Sequence, residues 1–216
     1  MVIDFAQSTK NPYYSYDTKR QQYRNLANGQ FLAKSTVLEL TKKRINSVGS
    51  DLQDIGKLLL TGKLSLKQWQ VETANTLKIL HTQQYLLGIG GQREIKRADY
   101  LVIARELKNQ YKFFRNFAID LTLGVMSTAQ FSARLNQYAL ASKISYFKAT
   151  KVAASRAGLT HAKRVLGANK YHCVQCPQYA AKGIVPIDDV VLPMTECDCI
   201  IQCKCELIFG TLESLA

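Results

Sequence analysis

Apolar residues fall into helix-spaced stretches separated by short, glycine-bearing breaks. Residues 1–30 carry no sustained period, and their tyrosines Tyr13, Tyr14, Tyr16 and Tyr23, set among Lys19, Arg20 and Arg24, predict an extended arm that orders only against a partner or the parent domain. From Ala33 the pattern turns helical: Val37, Leu40, Ile45 and Val48 share one face, and Gly49 is expected to end that segment. A second helix is expected from Ser50 or Asp51 to Leu60, where Thr61-Gly62-Lys63 breaks it.

Two later passages repeat one helix-start pattern. Leu64 precedes Ser65, with Gln68 and Trp69 three and four residues on; Met126 precedes Ser127, with Gln130 and Phe131 at the same offsets. Each predicts a capping box joined to a hydrophobic staple, the serine oxygen taking an orphan N–H and the glutamine reaching back. A cap of this kind stabilises by about 1 kcal/mol.

The helix from Ser65 is expected to reach Leu87, where the Gly88-Ile89-Gly90-Gly91 run stops it. That run lacks the preceding strand and lysine of a phosphate loop. A further helix is expected over Arg97 to Leu123, with Leu101, Ala104, Leu107, Tyr111, Phe114 and Ala118 as its stripe. Trp69 and the aromatics Tyr111, Phe113, Phe114 and Phe117 are expected in the core. The last helix is predicted from Ser127 to about Val165, with a kink or break near Gly158. The fold class is therefore mainly α: an elongated helical body over residues 31–166, preceded by the arm (1–30) and followed by a small Cys-rich, zinc-ribbon-like β module (167–216).

Charge sharpens this picture. Lys and Arg outnumber Asp and Glu by 29 to 16, and no acidic residue occurs between Leu121 and Ile187. That span carries Arg134, Lys143, Lys148, Lys151, Arg156, Lys163, Arg164, Lys170 and Lys182. A face of one sign implies either a solvated helix surface or an anionic partner, nucleic acid or an acidic protein. No apolar run is long enough to span a bilayer, and no basic-then-apolar leader opens the chain, so no membrane association and synthesis in the cytosol are expected.

All six cysteines lie beyond residue 172: Cys173 and Cys176 form a Cys-x-x-Cys, and Cys197, Cys199, Cys203 and Cys205 crowd into nine positions. Cys-x-x-Cys is the spacing at which two thiolates approach one metal ion, and a second pair would complete a tetrahedral structural Zn²⁺ site. Such a site replaces the core that some 40 residues cannot supply. The expected ligands are Cys173 and Cys176 with Cys199 and either Cys203 or Cys205, strand alternation turning each Cys-x-Cys pair to one side. Three disulfides are the alternative in an oxidising setting. A redox Cys-x-x-Cys lacks the βαβ surroundings it needs, and His172 is read as flanking the site.

The segments TKRQQYRNLANGQFLAKS, LTGKLSLKQWQVETANTLKILHTQQYLLGIGG and the Cys-x-x-Cys…Cys-x-x-x-Cys-x-Cys tail resemble the helical minor head proteins of tailed bacteriophages. The tail is similar to that of phage Mu F-like head morphogenesis proteins, Gly183 matching a glycine and Cys203-Lys204-Cys205 the end motif, with Lys for the usual Arg and no preceding His-Pro. The resemblance implies a virion component without catalytic activity, several copies in an assembly, made in the host cytoplasm and contacting portal, capsid or packaged double-stranded DNA. Lys and Arg would then meet phosphates without reading bases. Of the histidines, His81, His161 and His172 have no nucleophile or carboxylate at motif spacing, so no enzyme is expected. A stand-alone zinc-ribbon nucleic-acid-binding protein is the alternative.

Overall fold

The computed structural model describes residues 14–17, 22–25, 28–168 and 172–216; Tyr13, Lys19, Arg20 and Lys170, singled out above, lie outside the described residues. The architecture is mainly helical, with a small C-terminal sheet bearing the clustered cysteines. No helix among the described residues is long and apolar enough to cross a membrane.

The described part of the N-terminal arm forms, with the residues just after it, an antiparallel sheet of β1 (Tyr14–Asp17), β2 (Gln22–Asn25) and β3 (Phe31–Leu32). It orders against the parent chain, since Tyr23 is buried with Val37 and Leu87 of the helical body. The first helix, α1, runs unbroken from Lys34 to Leu60. Gly49 does not end it: the helix runs on through it without a left-handed turn, and the glycine that packing requires is Gly56. A Cβ at Gly49 would lie 3.6 Å from the Cβ of Ala139, and one at Gly56, two turns on, would press to 2.7 Å from Leu135 Cδ1. Between them Gln53 donates to the Ser132 carbonyl at 2.8 Å and accepts from the Ser132 hydroxyl at 2.8 Å. A glycine costs a helix roughly 0.5–1 kcal/mol, which close packing against a second helix offsets.

Both capping boxes form. Ser65 starts α2 (Leu66–Ile89) and Ser127 starts α4 (Thr128–Ala141), each serine accepting from the glutamine N–H three residues on and each glutamine accepting from the serine N–H. Helix α2 closes on Gly90 at φ 99°, a left-handed cap that glycine adopts without strain. Helix α3 spans Arg97–Thr122. The long last helix is instead two: α4 yields at Ser142 to α5 (Lys143–Arg156). Ser142 is fully buried and its hydroxyl donates to the Ala139 carbonyl at 2.6 Å, a local bond that competes with the helical ladder. Gly158, at φ 77°, then terminates α5, and the chain does not resume as helix.

Residues His161–Val165, expected to be helical, form β4, the central strand of a second antiparallel sheet in the order β5-β4-β6. Strand β5 is Ile184–Pro186 and β6 is Glu206–Gly210; Lys163 pairs with Ile184 on one side and Ile208 on the other. Two short helices complete the chain, α6 (Gln175–Ala181) and α7 (Leu212–Leu215).

The main core lies among α1 to α4. Trp69, fully buried, meets Phe114, Phe117 and Phe131 at ring distances of 4.9, 5.5 and 5.7 Å. Mixed tilted and edge-on rings of this kind contribute beyond the area they bury. Three expected core residues of α3 lie outside it: Ala104 is exposed, and Leu101 and Phe113 are each 63% exposed.

Candidate metal centre

The six cysteines, though spread over 33 positions, converge (Cys173 to Cys205). Cys173 precedes α6 and Cys176 lies in its first turn; Cys197 and Cys199 sit in consecutive turns, and a 3₁₀ turn over Ile200–Gln202 delivers Cys203 and Cys205 to the start of β6. The Cys-x-Cys pairs therefore stand on turns and a strand approach, not on strands as expected. Backbone bonds coil the second segment tightly: Ile200 N–H donates to Cys197 O, Gln202 N–H to Cys199 O and Cys203 N–H to Ile200 O. The coil forces Ile200 to φ 37°, a region that β-branched residues avoid.

The sulfurs of Cys173, Cys176, Cys197 and Cys199 all lie within 4.8 Å of one another, as do those of Cys176, Cys203 and Cys205. Cys197, omitted from the expected ligands, belongs fully to the cluster. Individual separations are 3.5 Å for Cys173–Cys199, 3.4 Å for Cys176–Cys199, 3.5 Å for Cys197–Cys199 and 3.8 Å for Cys176–Cys203. Tetrahedral thiolates at about 2.3 Å from a metal stand roughly 3.8 Å from one another, while a disulfide holds its sulfurs at about 2.05 Å. All six are free thiols, spaced as metal ligands are. The cluster can hold a metal ion.

Local electrostatics prepare the site. Burial works to raise the Cys173 thiol, but the N–H groups of Cys199 and Cys176 donate to its sulfur and bring it down to about 6. This is the knuckle arrangement, in which backbone amides face a thiolate. Cys176 is pushed up by burial and then by neighbouring thiols, and Cys199 is pushed up by burial against a lowering contact from Cys176. Bringing these thiols to the anionic form therefore needs a cation.

One cation is built in. Arg164, on β4 and only 4% exposed, points Nη2 at the sulfurs of Cys176, Cys197 and Cys203 at 3.2, 3.4 and 3.3 Å. Its Nη1 donates to Val191 O, and its guanidinium stacks 5.0 Å from the Tyr179 ring. Arg164 was expected on a surface facing an anionic partner, but burial leaves it no surface to offer. A charged residue alternating inward on a strand beside cysteines was the sequence signal for this role, concealed by reading the segment as helix.

The other basic candidates do not make one open face either. Arg134 pairs with Asp120 at 2.6 Å, Lys148 with Glu106, and Arg156 with Asp99 through two bonds at 2.8 and 3.0 Å. Lys151 donates to Asp188 O and Lys163 reaches Leu215 O at 3.5 Å. Lys143 lies 5.2 Å over the Phe147 ring. Three cations of the acid-free stretch, Arg134, Lys148 and Arg156, are thus paired by Asp120, Glu106 and Asp99 of α3, which lie outside it in sequence. Conversely, α3 presents Arg105, Lys108, Lys112 and Arg115 in one exposed stripe, with no ion-pair partner among the described residues. Their i, i+3, i+7, i+10 spacing was the legible signal for it.

The cluster also joins the module to the body: Tyr146 and Phe147 of α5 and Leu87 of α2 pack with Cys176, Cys197, Cys203 and Cys205. No protein-family model, curated protein or solved structure matches the chain.

Proposed function

We propose that the chain is a non-catalytic structural component of a tailed-phage head, whose C-terminal module is stapled by Zn²⁺ and docked on a helical body. The observation that carries the staple is the convergence of all six sulfurs at ligand spacing beside a buried arginine. The phage assignment rests on the sequence resemblance, with portal, capsid or packaged DNA as the partners it implies. Zn²⁺ suits the donors because an all-thiolate, tetrahedral set favours a soft d¹⁰ ion and leaves no open position for a bound water. When bound, the ion fixes the turns that carry the cysteines. Arg164 offsets the thiolate charge, and the apolar shell from α2 and α5 keeps water out.

Metal analysis of protein purified without chelator tests the staple, with bound zinc expected and its removal expected to expose the tail to protease. A second reading, a stand-alone zinc-ribbon nucleic-acid-binding protein, is favoured by the exposed stripe of Arg105, Lys108, Lys112 and Arg115. Duplex binding measured against salt separates the two. Weak binding that depends on a partner assembly supports the virion role; tight binding by the isolated chain with a steep salt slope supports the alternative.

A further inference from the structure

The basic stripe of α3 borders an open groove that the helix shares with α2. The groove, about 1090 Å³, is lined by Lys78 of α2 and by Lys108, Lys112 and Arg115 of α3, with the side-chain amides of Asn109 and Asn116 among them. No carboxylate lines it among the described residues. The three carboxylates of α3 are held by cations from α4 and α5: Asp120 by Arg134, Glu106 by Lys148 and Asp99 by Arg156. Arg105, exposed one turn before Lys108, continues the basic row.

We propose that this groove binds the phosphate backbone of double-stranded DNA without reading its sequence. The i, i+3, i+7, i+10 spacing from Arg105 to Arg115 extends roughly 15 Å along the helix and sets a cation about every 5 Å. A DNA strand presents a phosphate about every 3.4 Å of its axis, so the two rows have comparable charge density and opposite sign. Contacts to phosphate fix position and carry no sequence information.

The lining chemistry selects this occupant over two others. The core of a protein interface is poor in lysine and rich in apolar and aromatic side chains, whereas three lysines, one arginine and two amides dominate here, all donors suited to phosphate oxygens. A single strand needs aromatic faces on which its bases stack. The one aromatic in the groove, Tyr111, is half-buried and anchored by its hydroxyl, which donates to Ala74 O at 2.9 Å.

This inference rests on the nucleic-acid contact that both readings above admit, and it fails separately from the metal staple. The full chain, purified without chelator, is titrated into a fluorescent random-sequence duplex at several salt concentrations. Each phosphate neutralised adds roughly −0.9 to the slope of log K against log salt, so a slope of about −4 is expected, with affinity falling roughly 250-fold between about 50 and 200 mM salt. Lys108→Gln combined with Lys112→Gln should lower that slope by about two and weaken binding more than tenfold, with circular dichroism unchanged. Lys182→Gln, an exposed cation of the acid-free stretch, should bind as the wild type does. An unchanged slope in the double variant overturns the groove and leaves a nucleic-acid contact elsewhere. No binding by the wild type at low salt overturns the contact as well, while metal content still decides the staple. Tighter binding to single-stranded DNA, or displacement of the duplex by polyglutamate at equal charge, overturns the duplex assignment.

Discussion

Arg164 Nη2 lies 3.2 Å from Cys176 Sγ, on the central strand of the C-terminal sheet, with sulfurs of Cys197 and Cys203 on either side. The contact relates a strand residue to a helix residue across the base of the module. Donors to metal-bound ligands typically change metal affinity about 10–100-fold when removed. Arg164→Gln should therefore release zinc at least tenfold more readily to a competing chelator. Unchanged retention would show that the arginine only packs on Tyr179.

Ile200 holds a left-handed conformation between Cys199 and Cys203 while its side chain stays 59% exposed. Such strain costs on the order of 1–3 kcal/mol, and asparagine tolerates the region better. Ile200→Asn should raise stability by about 1 kcal/mol in chemical denaturation, with metal content unaltered. A loss of stability would mean that the isoleucine side chain contributes more than its backbone costs.

Asp99 is 1% exposed; it accepts from Tyr85 Oη and from the Lys96 N–H, and pairs twice with Arg156. Burial alone would raise its carboxyl, but Arg156 and the two other donors hold it below the ordinary value. Arg156→Met removes the compensating charge and should destabilise by about 3 kcal/mol. Asp99→Asn, which retains an acceptor for Tyr85, should cost less. The order of the two in thermal melts checks the assignment.

His81 is fully buried, with Nδ1 2.8 Å from Ser145 Oγ, and burial lowers it from 6.5 to about 4. A depressed folded value means that stability is complete above the unfolded value and lost as pH falls through the window from 6.5 to about 4. The loss should approach about 3 kcal/mol at the acid end. Denaturation of the wild type and of His81→Gln at matched pH isolates this contribution from thiolate protonation, which both share. Parallel pH profiles would remove His81 as a source of acid lability.

The sequence by itself determined what is local. The capping boxes at Ser65 and Ser127 are short-range bonds among four residues, and they form as their spacing requires. The helical character, the break at Gly158 and the gathering of cysteines into a metal-competent tail were legible for the same reason: periodicity, backbone freedom and ligand spacing act within a few positions. Tertiary structure decided what depends on a distant surface. Gly56, not Gly49, is the glycine that packing against α4 requires, and His161–Val165 becomes strand because β5 and β6 flank it on both sides. Arg134, Lys148 and Arg156 of the basic stretch are paired by carboxylates on α3, and Arg164 is turned onto thiols that follow it by 12 to 39 residues. Burial removes water from these groups, so they need charged or hydrogen-bonding partners, and only the folded chain brings those partners within reach.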